Sequence, residues 1–507
     1  MSDLKKQTLK GIAFLGIGKS AGKVISFVNT LILARILAPE DYGLMAMAMV
    51  IAGFVSFFND VGFGSAIIQR KTVTDAQLSG VFYISMLISV VLFILTVYFA
   101  PYAADFYGNS QVTPILQVLA LTFLMGGVRA VPQALLTKEM RFKLLSGVEF
   151  AGILIQCIVT LVLALLGYEV WSLVWGAIIA SFIKTSLVAW GGKWLPSLNG
   201  KILDAMELMK FGLTVTYSRV TWYMYTNAQT LILGKVVGDK QTGVFSMAQT
   251  LANLPTEHIT SLVIKVASPL FAKLQDDLNG LTFALLKLTA GLSLITFPVL
   301  AGMMLTAEQL VPILLGDQWL AAIIPMQFLC VMGFFKAIDP LLTQAFISLG
   351  KANITARYTS ICAVVIPVAV LIGSYYYGIN GAAIALAVVY PALMLLLLII
   401  SRSVYNLSIL GYFKQLITPI TGCLFMAVSV FAVNMVASSI ELQSYILFTS
   451  KVIAGVVSYA FWIIYVRKDG IFLLRSVLLD IGVPEHKLAM WPFKPVKKTQ
   501  EGLTGEK

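Results

Sequence analysis

Long apolar runs punctuated by short polar turns set the pattern of this chain from its first hundred residues. A membrane-crossing helix needs about 20 mostly apolar residues. Stretches of that kind fall near 12–36, 43–68, 79–99, 113–136, 145–166, 169–190, 209–235, 243–270, 283–305, 319–348, 356–376, 379–401, 412–437 and 445–466. The pattern predicts an all-α integral membrane protein of about fourteen transmembrane helices.

The spans contain a repeat. TLILARILAPEDYGLMAMA (30–48) aligns without a gap on TLILGKVVGDKQTGVFSMA (230–248), at an offset of 200 residues. Gly43 matches Gly243, Met47 matches Met247, Ala48 matches Ala248, and Arg35 faces Lys235. A weaker echo sets LLTKEM after Pro132 beside LLTQAF after Pro340. Two six-helix lobes in the same orientation follow, since six crossings return the chain to its starting side, and two extra helices remain. The expected organisation is an N-lobe over 1–200, a C-lobe over 201–410, an extra helix pair over 411–467 and a basic tail over 468–507. Parallel repeats of this kind commonly flank a substrate cavity.

Composition reinforces the class. Hydrophobic residues make up 59% of the 507 and charged residues only 12%, with mean hydropathy +0.88, whereas soluble domains carry about 25% charged residues. The 36 Lys+Arg against 24 Asp+Glu concentrate in alternate connections, which by the positive-inside rule places both termini in the cytoplasm. This excess reflects loop charge, with no basic, aromatic-interleaved patch for nucleic acid. Four cysteines sit in apolar runs without metal or redox spacing, so no metal site is expected. No P-loop, no GxGxxG after a strand and no HExxH occur, and no long non-membrane segment is available for an enzyme domain. The chain reads as a transporter without cofactor rather than an enzyme.

Charges inside the spans are the candidate chemistry, because each is costly in hydrocarbon. Lys19, Lys23, Ser26 and Thr30 share one helix face, and the repeat offset carries that face to Arg219, Tyr223, Thr226 and Thr230. Snorkelling and a wet cavity account equally for Lys19. At roughly 16 Å from the helix start, Lys23 lies beyond easy snorkelling. Arg129 and Lys336 precede the prolines of the weaker echo and form a second basic pair, with Asp339 as a local partner for Lys336. Asn29 and Tyr223 join these cations as candidate substrate-binding residues, suited to sugar rings and hydroxyls. Glu257 and His258, following Pro255, are candidates for ion coupling, as is Asp60, each with an ordinary structural pairing as the alternative.

The R-x-L-x-P-x-x-Y-G turn (Arg35, Leu37, Pro39, Tyr42, Gly43), the D-x-G segment (Asp60, Gly62) and the basic Arg70–Lys71 pair after it carry a resemblance. Together they resemble the polysaccharide-exporter branch of the multidrug/oligosaccharidyl-lipid/polysaccharide exporter superfamily, whose Wzx-type members flip lipid-linked sugar repeat units. The resemblance implies an undecaprenyl-diphosphate-linked oligosaccharide as substrate, moved to the outer leaflet of a bacterial plasma membrane. The expected partners are membrane lipids, a polysaccharide polymerase and a chain-length regulator, with a monomer as the expected working unit. One departure is Asn227-Ala228-Gln229, where relatives often place N-x-D; an ion coupling through that carboxylate has no residue here. A peptidoglycan-precursor flippase and a drug/cation antiporter are the alternative readings, the latter disfavoured by a basic rather than acidic cavity.

Overall fold

A computed structural model describes residues 21–60, 63–70, 72–197, 202–438 and 443–467. Helices account for nearly all of them, and no strand occurs among the described residues. The first repeat comprises α1 (21–36), α2 (Pro39–Asp60), α3 (Phe63–Gln69), α4 (Asp75–Tyr107), α5 (Val112–Leu119), α6 (Leu121–Lys138), α7 (Phe142–Leu165) and α8 (Val170–Gly192). The second begins with α9 (Ile202–Pro255), a π-helical turn (Thr256–Thr260) and α10 (Ser261–Lys273). It continues through α11 (Leu278–Leu305), α12 (Ala307–Leu314), a 3₁₀ turn (Asp317–Ala322), α13 (Ile323–Ser348) and α14 (Ala352–Tyr405). Then come α15 (Ile409–Ser438), α16 (Ser444–Phe461) and a second π turn (Trp462–Val466). Among the described residues, 10 helices are long and apolar enough to cross a membrane.

The two stretches aligned in the sequence each hold a helix break. α1 gives way to α2 at Leu37–Ala38, and α9 breaks at Gly238, whose φ of 79° and ψ of −177° leave the helix. Ala38 and Gly238 are one repeat offset apart. Glycine suits the second position because a Cβ disfavours positive φ. The sequence led us to expect separate spans here and between 376 and 379. The structure separates them by a backbone break at Gly238 and another at Tyr377–Gly378, so the stretches labelled α9 and α14 each hold two helices joined across a tight kink. Non-helical geometry confined to one or two residues leaves few backbone groups to be satisfied by loops.

Local rules explain the ends. α4 starts with a capping box, Thr74 Oγ1 accepting from the Gln77 amide and Gln77 Oε1 accepting from the Thr74 amide. It stops at Gly108 in left-handed geometry. Its sides are inverted relative to a soluble helix: Ser85, Ser89 and Thr96 are buried, while Leu87 and Ile94 are exposed. Such a distribution suits a hydrocarbon solvent, where small and polar residues mediate helix packing.

The described residues divide into two compact units. One holds those up to Leu254 with Met303–Met332 and Asn353–Leu393; the other holds Pro255–Gly302, Gly333–Ala352 and those from Met394 onward. The first unit thus combines the whole first repeat with segments of α9, α11, α13 and α14. Its core includes Leu44, Met47, Val112, Ile115, Val174 and Ile178, drawn from α2, α5 and α8. In the second unit, Phe297 and Phe334 rings meet at 5.0 Å. There α16 joins α11 through Tyr459, whose hydroxyl donates to the Leu294 carbonyl at 2.9 Å.

Candidate functional site

A polar face of α6 makes the main candidate site. Thr122, Gly126, Arg129, Gln133 and Thr137 recur at three- and four-residue spacing and so lie on one side of the helix. That side lines a cavity of about 500 Å³ within the first unit. Ser56 and Asn59 from α2, Gly64 and Ile68 from α3 and Ser181 from α8 complete the walls. The volume lies in the range of small-molecule pockets. Arg129 is its one cationic lining residue, and no carboxylate stands among the described lining residues. A guanidinium keeps its charge at any accessible pH and presents a planar fork of donors.

The walls are held by hydrogen bonds behind them. Asn59 Nδ2 donates to the Phe123 carbonyl at 2.9 Å, and the Ser89 hydroxyl lies within reach of Asn59 Oδ1 and of the Ser85 carbonyl. α6 can approach this cluster because residue 126 is glycine: a Cβ there would stand 2.3 Å from Asn59 Nδ2. The cavity is therefore a preorganised polar pocket with one fixed positive charge.

The remaining candidates fall in several places. Lys19 lies outside the described residues, and Arg219 belongs to a stretch of α9 whose side chains are not described. Lys23 is exposed on α1. Asn29 donates to Thr160 Oγ1 at 3.2 Å, a contact inside the first repeat. The Tyr223 hydroxyl reaches the Met49 and Val50 carbonyls at 3.2 and 3.0 Å, and its ring packs on Phe57. A small apolar cavity of about 190 Å³ sits beside it, lined in part by Val50, Phe54 and Leu231. Asn227 donates to the Tyr223 carbonyl, while Gln229 is buried and accepts from Gln249 at 2.8 Å. Asp60 ends α2, and its side chain is not described.

Lys336 sits in the second unit with Glu257, whose carboxylate is near enough for the two charges to interact. The π turn bearing Glu257 and His258 is tied to α13 by Thr260 Oγ1, which donates to the Ala337 carbonyl at 3.1 Å. Both Glu257 and His258 are exposed. Arg129 and Lys336, alike in the sequence, thus have different neighbours.

Sequence reasoning singled out Arg129 but not Ser56, Asn59, Gln133 or Thr137; the four-residue spacing of polar groups along α6 was the available signal. It also passed over Lys451, which is buried in α16 with 3% of its surface exposed.

Comparison with known proteins places this architecture. Residues 32–324 match the family described as "Polysaccharide biosynthesis protein". The chain belongs to this family. It is similar to the lipopolysaccharide biosynthesis protein WzxC of Escherichia coli (strain K12), 24% identical over 76% of this chain and 79% of that protein. It is also similar to the teichuronic acid biosynthesis protein TuaB of Bacillus subtilis (strain 168), 23% identical over 92% of this chain and 96% of that protein. Among solved structures, the lipid II flippase MurJ in an inward closed conformation shares the fold, with a TM-score of 0.72 at 15% identity over 90% of this chain and 99% of that one. The member of the polysaccharide biosynthesis family described here is thus an all-α, multi-pass membrane protein with a transporter fold.

Proposed function

We propose that this chain is a flippase that carries a polyprenyl-diphosphate-linked oligosaccharide from the cytoplasmic to the outer leaflet of the plasma membrane for polysaccharide assembly. The family and the names of its relatives support polysaccharide synthesis as the process. The observation that carries the mechanism is the Arg129 cavity, in which a permanent cation and several hydrogen-bonding side chains line one space.

A diphosphate cannot enter hydrocarbon without compensation of its charge, the burial cost of an isolated ion being tens of kcal/mol in the limiting case. The Arg129 fork matches phosphate oxygens in bidentate geometry. Ser56, Asn59, Gln133 and Thr137 supply donors and acceptors for sugar hydroxyls. The lipid tail stays in the bilayer, so the protein handles only the polar part of its cargo. Lys19, Lys23 and Arg219 act as further head-group contacts on the repeated helix faces, and Lys336 serves the second lobe. Tyr223 and Asn29 hold those helix faces in place. Glu257, His258 and Asp60 are the groups for ion coupling. The chain moves its substrate and makes or breaks no covalent bond; a polymerase at the outer face consumes what it delivers.

The test is leaflet translocation by the purified protein in vesicles loaded with a polyprenyl-diphosphate-linked oligosaccharide. Wild-type protein is expected to move it and Arg129→Ala to lose most of that activity. Absence of translocation by the wild type, or efficient movement only of a peptidoglycan-precursor lipid or of cationic drugs, overturns the reading.

A further inference from the structure

The join between α14 and α15 sets charge beside oily surface, away from the Arg129 cavity. α14 ends at Tyr405, Asn406 takes left-handed geometry with φ 54° and ψ 32°, and α15 begins at Ile409. Asparagine is among the few residues that tolerate that conformation, so one helix passes into the next within three residues. The Ser408 hydroxyl accepts from the Gly411 amide at 3.1 Å and caps the new helix. Beneath the turn Tyr405, Leu407 and Tyr412 are buried. Tyr405 is fixed from three sides: its hydroxyl donates to Ser401 Oγ at 2.8 Å, its carbonyl accepts from Thr282 of α11 at 3.2 Å, and its ring packs on Phe346 of α13. All of these residues belong to the second unit.

An open cavity of about 670 Å³ lies at this braced turn, lined in part by Arg402, Asn406, Ser408, Leu410 and Phe413. Arg402 is its one cationic lining residue, and no carboxylate stands among the described lining residues. Lys414, also exposed, follows Phe413 on α15. Neither Arg402 nor Lys414 forms an ion pair among the described residues. The sequence explains why: from Pro340 to Ile440 it holds no Asp or Glu, while Lys351, Arg357, Arg402 and Lys414 all fall in that stretch. The other wall of the cavity is apolar. Leu410 is 81% exposed, and Phe413, Ile417, Ile420 and Leu424 continue the exposed surface along α15. Their three- and four-residue spacing makes one ridge.

We infer that the α14–α15 turn is a binding site for one anionic phospholipid of the cytoplasmic leaflet, its phosphate on Arg402 and its acyl chains on the ridge that starts at Leu410 and Phe413. The loop-charge pattern sets this turn on the cytoplasmic side, and basic pockets between helices on that side suit anionic head groups. The guanidinium fork matches two phosphate oxygens. Lys414 adds a second positive charge on the same helix end, and Asn406 and Ser408 offer polar contacts to a glycerol head group. A zwitterionic lipid brings its own ammonium group and gains less from the two cations. A lipid seated here touches the end of α14 and the start of α15 together, so it braces the extra helix pair where that pair leaves α14. The Arg129 cavity belongs to the first unit and this one to the second; the lipid site stands whichever cargo the chain carries.

Native mass spectrometry of the purified full-length protein, titrated with phosphatidylglycerol or with phosphatidylcholine, reads the site. Phosphatidylglycerol is expected to be retained preferentially. Its affinity should fall roughly fivefold in Arg402→Gln and by a similar factor again in Arg402→Gln/Lys414→Gln, the size expected for each cation facing an anionic head group. Lys351→Gln/Arg357→Gln removes the same charge from another connection and should leave the affinity unchanged. In the wild type, a phosphatidylglycerol with a photoreactive acyl chain should label the segment from Asn406 to Ile420, which decides the matter if a variant does not fold. Unchanged affinity in the Arg402/Lys414 variant, an equal loss in the Lys351/Arg357 variant, equal retention of phosphatidylcholine, or labelling elsewhere each overturn the site. Displacement of the lipid by millimolar inorganic phosphate would make this a site for free phosphate, and displacement by an equal amount of polyprenyl diphosphate would make it a site for cargo; either result overturns the resident phospholipid.

Discussion

Arg129 and Lys336 begin as near equivalents, each a cation shortly before a helix proline that is followed by Leu-Leu-Thr. Around Arg129 the protein leaves a cavity with hydrogen-bonding walls and no described carboxylate. Opposite Lys336 it places Glu257 on a π turn. A guanidinium lining an open cavity can meet an anion from outside, whereas a cation with a carboxylate near it responds when that carboxylate is drawn away or neutralised. The repeat duplicates the charge; the neighbours decide its use.

The largest effect should follow from removing the cation that lines the cavity. Arg129→Ala deletes hydrogen bonds to a charged group, each worth about 1.5–3 kcal/mol, or a loss of roughly 10- to 150-fold in transfer rate at equal protein level. Arg129→Lys keeps the charge without the fork and should fall between. Full activity in Arg129→Ala would erase the contrast. Next come Lys336 and Glu257. Lys336→Met and Glu257→Gln should each lower thermal stability, while the double substitution costs less than their sum, with a coupling of about 0.5–3 kcal/mol. Strict additivity in a thermal-unfolding cycle would mean that the two residues act separately.

Smaller changes sharpen the picture. Gly126→Ala puts a methyl against Asn59 and should cost about 1–3 kcal/mol through overpacking, with reduced transfer although Arg129 is untouched. Tyr223→Phe removes a hydroxyl that bonds to backbone carbonyls of α2, so a stability loss of about 0.5–1.5 kcal/mol with near-normal transfer is expected. A transfer defect much larger than the stability loss would instead place the Tyr223 hydroxyl on the cargo.

Much of the fold could be read along the chain because apolar run length and helix crossing are directly linked. Both stretches of the gapless match, 30–48 and 230–248, hold a helix break, after α1 and at Gly238. The pocket was less accessible to such reading. Arg129 announced itself as a charge in an apolar span, but Ser56, Asn59 and Ser181 reach the cavity from helices distant in sequence, and no periodicity encodes which helices become neighbours. Hydroxyl groups are ambiguous for a related reason: the Tyr223 side chain fits a sugar contact and a backbone bond equally until α2 is seen beside it. Glu257 and Lys336 are likewise separated by the whole of α11, and only packing reveals that their charges interact.

Arg35 donates to carbonyls at the end of α12, and Gln318 and Trp319 donate to carbonyls at the end of α1, which gives solvent a part in how these ends stay together. Terminal carbonyls cannot stay bare, so each one released must be rehydrated as the ends separate. Solutes that lower water activity without entering the crevice should therefore hold this bonded arrangement in place.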